Sequence, residues 1–210
     1  MIVLSLPRLL LITEPIAHAE AQGLLHRLRR ALVGGPCHLL VRLPGWHERA
    51  VYDFALALRP IVVPPACLLI HDRPDIALAV GADGVHLPAS GLPTDVARRL
   101  LGPGCLLGRS CHDPNEANVA LAAGADYVTL SPLFATRSHP DAAPLGVSRL
   151  TEIVRRVAGP VVALGGITPE NVGEAATTGV VGVATIRGVL HAGDPAWAAR
   201  QCLAAFPDHA

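Results

Sequence analysis

Eight short, almost uninterrupted apolar runs recur along the chain, and each is followed by a stretch of helical pattern. The runs fall at residues 9–13, 38–42, 67–70, 84–87, 105–108, 127–130, 161–164 and 180–184. The helical stretches fall at 17–33, 46–58, 74–80, 94–101, 115–123, 148–157 and 169–178, with another at 195–205. A strand solvated on one face alternates apolar and polar side chains, whereas a strand covered on both faces is apolar throughout. Continuous runs therefore call for parallel strands wrapped by helices, and eight such units predict a single (β/α)8 TIM barrel over residues 1–210. The rival arrangement, a doubly wound open sheet, would carry G-x-G-x-x-G after its first strand, and residues 13–23 contain none. Gly-Ala-Asp recurs before two strands, at Gly81-Ala82-Asp83 and Gly124-Ala125-Asp126. There a glycine ends one helix and a short turn enters the next strand.

Composition narrows the function classes. Formal net charge is zero and no basic patch of the size nucleic acid needs is present. No uncharged apolar run reaches the ~18 residues of a membrane span. The apolar opening is interrupted by Arg8 and lacks both a basic start and a small-residue cleavage site, so it reads as an arm plus a first strand. A cytoplasmic protein acting on a small molecule is the expectation, with no nucleic-acid or membrane partner and with self-association into a homo-oligomer left open. The five cysteines are odd in number and show no C-x-x-C spacing, which favours reduced thiols. All 17 basic residues are arginine. Without a lysine amine no Schiff base can form, so class I aldolases and pyridoxal phosphate enzymes are excluded.

In a barrel, chemistry sits on the loops that follow the strands. Those positions carry Thr13-Glu14, Arg42, His71-Asp72-Arg73, His86, Arg109-Ser110-Cys111-His112, Ser131-Pro132, Gly165-Gly166 and Thr185-Ile186-Arg187. The glycine pair follows an apolar run and leads into Thr168-Pro169, which reads as an N-cap and a first helical residue. Glycine backbone approaches a ligand closely, and a helix N-terminus offers unpaired N–H groups to an anion, most simply a phosphate ester. Ile186 and Arg187, after the last strand, would complete that site. Residues 131–147 form the longest non-helical stretch, a binding loop in which Thr136, Arg137, Ser138 and His139 can wrap an anion. Of ten histidines, His18, His26, His38, His47, His191 and His209 lie on helices, at termini or at the wrong end of a strand, while His71, His86, His112 and His139 stay in play. His112 is the candidate acid/base, since an imidazole titrates near ~6.5. No H-x-H or H-E-x-x-H metal motif occurs.

Over nearly its full length the chain resembles the thiamine phosphate synthase / TenI superfamily. The resemblance rests on Leu11-Ile12-Thr13, Leu69-Ile70-His71-Asp72-Arg73, Gly81-Ala82-Asp83-Gly84-Val85-His86-Leu87 and Gly108-Arg109-Ser110-Cys111-His112. It continues through Gly124-Ala125-Asp126-Tyr127-Val128, Ser131-Pro132-Leu133-Phe134-Ala135-Thr136 and Leu164-Gly165-Gly166-Ile167-Thr168-Pro169-Glu170-Asn171-Val172. Ser110-Cys111-His112 with Ser138-His139-Pro140 is most similar to a divergent branch often fused to Nudix hydrolases. The resemblance implies a barrel holding a phosphorylated thiazole at Gly165, Gly166, Ile186 and Arg187. The synthase joins that thiazole to a pyrimidine pyrophosphate with magnesium, and Asp72 would be a metal ligand in that case. This chain departs from the synthase pattern at several places. The family's Gln-x-Arg-x-Lys reads Leu40, Arg42, Pro44, and its Asn-Asp reads His71-Asp72. Its second magnesium aspartate reads Gly91, and the lysine of its binding loop reads His139, after Thr136 and Ser138. A leaving pyrophosphate needs its charge neutralised, and these losses point away from it. The expectation is therefore a TenI-like tautomerase without a cofactor, in which Gly165-Gly166 hold the phosphate, Arg42 anchors a carboxylate and His112, with Ser110 beside it, moves one proton. The synthase with magnesium is the alternative. A non-catalytic or regulatory phosphate-binding barrel remains open, and a paired-acid isomerase is disfavoured by the scarcity of acids at strand ends.

Overall fold

The computed structural model describes residues 5–138 and 141–206. Eight parallel strands close into a barrel in sequence order, each bonded to its neighbours in the chain and β8 to β1. They are β1 (Leu9–Ile12), β2 (His38–Val41), β3 (Leu68–His71), β4 (Gly84–Leu87), β5 (Leu106–Cys111), β6 (Tyr127–Leu130), β7 (Val161–Leu164) and β8 (Gly182–Thr185). Helices α1 (Ala21–Leu32), α2 (Glu48–Leu58), α3 (Pro74–Val80), α4 (Thr94–Leu101), α5 (Pro114–Ala122), α6 (Gly146–Val154) and α7 (Val172–Ala176) follow the first seven strands in turn. The last strand is followed by a single-turn helix, α8 (Arg187–Leu190), and then by α9 (Pro195–Ala204). The (β/α)8 barrel expected from the apolar runs is the fold observed.

The strands are apolar without alternation because they have two buried faces. Leu9, Leu11, Leu39, Val41, Leu68, Ile70 and Val85 point outward into the layer shared with the helices. Leu10, Ile12, Leu40, Cys67, Leu69, Leu106, Tyr127, Val162 and Ala184 point inward and fill the barrel. Truncating one such fully buried leucine to alanine costs about 2–5 kcal/mol.

The repeated Gly-Ala-Asp turns have a specific task at the opposite end from the mouth. Gly81 (φ 62°) and Gly124 (φ 101°) adopt the positive φ of a helix C-terminus. Asp83 Oδ2 then accepts from Leu68 N and from Arg59 Nη1, both at 2.7 Å. Asp126 Oδ2 accepts from Leu107 N and Arg98 Nη2, again both at 2.7 Å. Each aspartate thus ties the start of a strand to an arginine of a helix, a device for stability rather than chemistry.

Of the boundaries that differ from expectation, three bear on the mouth. β5 runs on to Cys111 because Leu87 pairs with Arg109, Ser110 with Thr129 and Cys111 with Leu130. Arg109 and Ser110 therefore stand on a strand, not on a loop. α7 begins at Val172, three residues beyond the Thr168-Pro169 start, because Asn171 occupies the turn: its Oδ1 accepts from Thr168 N and its Nδ2 donates to Gly166 O, both at 2.8 Å. The third is α8, too short to leave a periodic signature.

Candidate active site

The mouth at the strand C-termini divides into two arcs. On the β7–β8 arc, Gly165 (φ 104°) and Gly166 (φ 67°) hold conformations that a side chain would strain. A Cβ on Gly165 would fall 2.7 Å from Pro132 Cα, and one on Gly166 would fall 2.5 Å from Ala135 O. The binding loop reaches them as an extension of β6: Leu133 N donates to Leu164 O at 2.8 Å and Phe134 N to Gly165 O at 3.0 Å. Thr185 Oγ1 donates to Ile167 O at 2.8 Å, which joins the end of β8 to the glycine turn. The first N–H groups of α8 have no intrahelical carbonyl to bond.

These segments enclose a cavity of about 400 Å³. Residues singled out from the sequence meet there: Gly165, Gly166, Ile186, Arg187, Thr136, Arg137, Ser138 and Thr185. Gly188 joins them. His139 lies outside the described residues. His191, set aside on sequence grounds, also lines the cavity. It caps α8, with its N–H donating to Arg187 O at 2.9 Å, and its Nε2 lies 2.6 Å from the buried carboxylate of Glu14. Glu14 in turn meets Arg27 of α1 at 2.5 Å. This bridge spans 177 positions, so no local pattern could have announced it.

On the β2–β6 arc the polar groups are side chains. The inward parity of the strands continues past the apolar core, so Arg42, His71, His86, Ser110 and Thr129 follow Leu40, Leu69, Gly84, Gly108 and Tyr127 at two-residue intervals. His86 stacks on His71 with ring centroids 6.5 Å apart and planes 20° apart, and on Tyr127 at 5.6 Å. Burial holds His71 down to about 4, helped by the charge of Arg42, and His86 down to about 3, helped by His71 and Arg109. Both rings are neutral at ordinary pH. The backbone of Arg42 is clamped by Thr13, whose Oγ1 donates to Arg42 O at 2.8 Å and accepts from Arg42 N at 2.7 Å. Its guanidinium enters no hydrogen bond or ion pair among the described residues. Arg109 is engaged instead, donating to Ala89 O at 2.8 Å and to Leu92 O.

Asp72 takes a positive φ of 53°, the one non-glycine residue to do so among those described. Such a conformation in a residue at a strand end marks a constrained turn. Its carboxyl is raised by burial against the opposing charges of Arg109 and Arg73. Gly91 lies against it: a Cβ there would fall 2.7 Å from Asp72 Oδ1. Among the described residues no group of three His, Cys, Asp or Glu side chains could hold a metal ion.

His112 does not join either arc. It follows β5, its side chain is 67% exposed, and its Nδ1 pairs with Glu116 of α5 at 3.0 Å. β5 ends at Cys111, and His112 is held instead by the first turn of α5, with its N–H donating to Glu116 Oε2 at 2.8 Å. Cys111 is buried, which pushes its thiol up to about 12 and removes it as a nucleophile.

Known proteins agree with this architecture. The chain matches the sequence model of the thiamine monophosphate synthase family over residues 9–189. It is 41% identical over 191 residues to a putative thiamine-phosphate synthase of Geobacter sulfurreducens, covering 90% of each chain. It is 47% identical over 161 residues to a thiamine-phosphate synthase of Methanoculleus marisnigri, covering 76% of this chain and 75% of that one. The solved thiamine phosphate pyrophosphorylase from Pyrococcus furiosus superimposes with a TM-score of 0.82 at 34% identity, covering 94% of both. The chain belongs to the thiamine monophosphate synthase family.

Proposed function

We propose that this protein is a thiamine-phosphate synthase, joining a thiazole phosphate to a pyrimidine diphosphate with release of pyrophosphate. The observation that carries this reading is the synthase name on relatives 38% to 47% identical over most of the chain. It displaces the tautomerase favoured by the sequence reading, and the chemistry of the mouth supports the change. A tautomerase needs a group that takes a carbon-bound proton. His112 is turned away from both arcs, while His71 and His86 are buried and neutral with low proton affinity. The synthase reaction moves no proton at the reacting carbon. The bond from the pyrimidine methylene to the diphosphate oxygen breaks, and its electrons leave with pyrophosphate. The lone pair of the thiazole nitrogen then forms the new C–N bond. What the protein has to supply is alignment of two phosphorylated molecules and stabilisation of negative charge on the departing group.

The two arcs suit two such molecules. The β7–β8 cavity, with its backbone donors and the hydroxyls of Thr136 and Ser138, is the proposed seat of the thiazole phosphate. Arg42, uncommitted at the end of β2, is the proposed cation for the diphosphate. Magnesium is the metal implied by the family. It is commonly held by one or two carboxylates together with substrate phosphate oxygens, and Asp72, with Gly91 packed against it, would supply one carboxylate. When bound there, the ion would neutralise charge on the diphosphate.

The test is an assay of thiamine phosphate formation and pyrophosphate release from both substrates, with magnesium and after chelation. Product formation with magnesium supports the synthase. A protein that binds the thiazole phosphate but releases no pyrophosphate with any divalent ion sinks the proposal.

A further inference from the structure

Between β4, β5 and β6 the barrel encloses a chain of polar groups whose donors and acceptors can be counted. Tyr127 is fully buried, and its hydroxyl lies 3.1 Å from His86 Nδ1. On the other side of the ring, His86 Nε2 lies 3.0 Å from Ser110 Oγ. Thr129 Oγ1, also buried, is 3.4 Å from Ser110 Oγ and 3.5 Å from His86 Nε2. Room for this contact exists because residue 108 is glycine: a Cβ there would collide with the Tyr127 ring, its hydroxyl and His86 Nδ1. His71 stacks over the imidazole from the neighbouring strand.

A neutral imidazole has one N–H and one lone pair, and which nitrogen holds the proton is set by its partners. Burial keeps both titratable members in their uncharged forms, raising the Tyr127 phenol and lowering the His86 imidazolium. A phenol O–H sealed from water has to donate, because leaving it unmade costs about 1–3 kcal/mol. The acceptor in reach among the described residues is His86 Nδ1. The proton therefore sits on Nε2, which donates to Ser110 Oγ. The Thr129 hydroxyl fills the second lone pair of the same oxygen. Ser110, half-buried at the mouth, is left with only its hydrogen to offer.

We infer that His86 and Tyr127 are positioning residues that hold Ser110 as an obligate hydrogen-bond donor toward the mouth, so that it recognises a ligand atom bearing a lone pair and no hydrogen. Such an atom is a phosphoryl oxygen or an unprotonated ring nitrogen; an amino group is rejected there. The same wiring denies Ser110 a base to take its proton, so it does not act as a nucleophile. The inference rests on the synthase reading for what Ser110 touches, but the wiring itself is a property of the free protein.

Nitrogen-15 NMR of the free protein labelled at histidine reads the tautomer directly. The expected spectrum shows His86 with a protonated Nε2 and a bare Nδ1, unchanged between pH 6 and pH 9; a protonated Nδ1 overturns the inference with no reference to activity. Tyr127→Phe should redistribute the His86 tautomers and lower kcat about tenfold at unchanged KM for the thiazole phosphate, the size of one lost hydrogen bond. Ser110→Ala should lower kcat about 100-fold, as the loss of one preorganised donor does. In the Ser110→Ala background, Tyr127→Phe should have no further effect on kcat. A Tyr127→Phe protein that loses stability while the His86 resonances stay put would assign Tyr127 a packing role and overturn the inference. If the tautomer is as expected and Ser110→Ala retains full activity, the wiring stands and the synthase reading of this arc fails.

Discussion

On the β7–β8 side of the barrel mouth, a turn of two glycines and a helix start bring backbone groups to the cavity beside the side chains of Thr136, Ser138, Arg187 and His191; on the β2–β6 side the polar groups are side chains alone. The first arc is made of two glycines at positive φ, a strand end tied to them through Thr185 and the opening turn of α8. Its backbone groups cannot change charge, and the bonds of Leu133, Phe134 and Thr185 to the glycine turn set their positions. The second arc is made of Arg42, His71, Asp72, His86 and Ser110; burial lowers the two histidines, each helped by a neighbouring charge, and raises the carboxyl of Asp72. A rigid arc of dipoles suits an anion that is held throughout a reaction. An arc of adjustable side chains suits the group on which charge develops.

Substitutions on the two arcs should therefore separate kcat from KM. The largest effect is expected for Arg42→Ala, which removes the uncommitted cation and should lower kcat about 10²–10³-fold with the thiazole phosphate KM nearly unchanged. Steady-state kinetics with each substrate varied in turn checks this, and an equal rise in both KM values with kcat intact would break the comparison. Next is Gly166→Ala, which strains a residue at φ 67° and pushes it into Ala135 and Phe134. A displacement of about 1 Å can cost about 100-fold. Here it should appear in the KM for the thiazole phosphate, and calorimetric titration of that ligand would measure it.

A third expectation concerns pH. His71 and His86 have folded-state values depressed to about 4 and about 3, below the ~6.5 of an unfolded chain. The unfolded state therefore binds more protons between these limits, and stability must fall as pH drops below ~6.5 toward 4. Above ~6.5 this contribution is fully present. When the shifts are fully expressed the loss is on the order of 3 kcal/mol for His71 and on the order of 5 kcal/mol for His86. Denaturant midpoints measured from pH 8 to pH 4 should show this slope, and a flat profile would mean that the side-chain arc is hydrated. The smallest effect is expected for His112→Ala, where an exposed ion pair with Glu116 contributes about 0–1 kcal/mol and turnover should change less than about twofold. A large loss of activity in that variant would return His112 to the site and the tautomerase to consideration.

The unit order of the barrel was legible because it is written in local periodicity. Continuous apolar runs such as Val161–Leu164 report burial on both faces wherever they occur. The glycine pair was legible for the same reason, since a turn that needs positive φ and close approach selects glycine locally. The structure places His112 and His191 differently from the sequence expectation, His112 outside the two arcs and His191 in the cavity lining. Both depend on where a strand or helix stops, and that is decided by neighbours far along the chain: Thr129 and Leu130 hold Ser110 and Cys111 in β5, and Glu14 holds His191 at the cavity. Ser110 and His86 were recognised as candidates, yet nothing in the order of residues said that Tyr127 stands between them and the core.

By itself the sequence determined the eight strand–helix units, the absence of lysine chemistry and the glycine turn, because each follows from the identity of residues adjacent in the chain. Only the tertiary structure decided which strand-end residues share a cavity, that Arg109 is engaged while the Arg42 guanidinium is left uncommitted, and which nitrogen of His86 holds its proton. Those outcomes depend on distances between strands and on exclusion of water from the barrel interior, and both exist only once the sheet has closed.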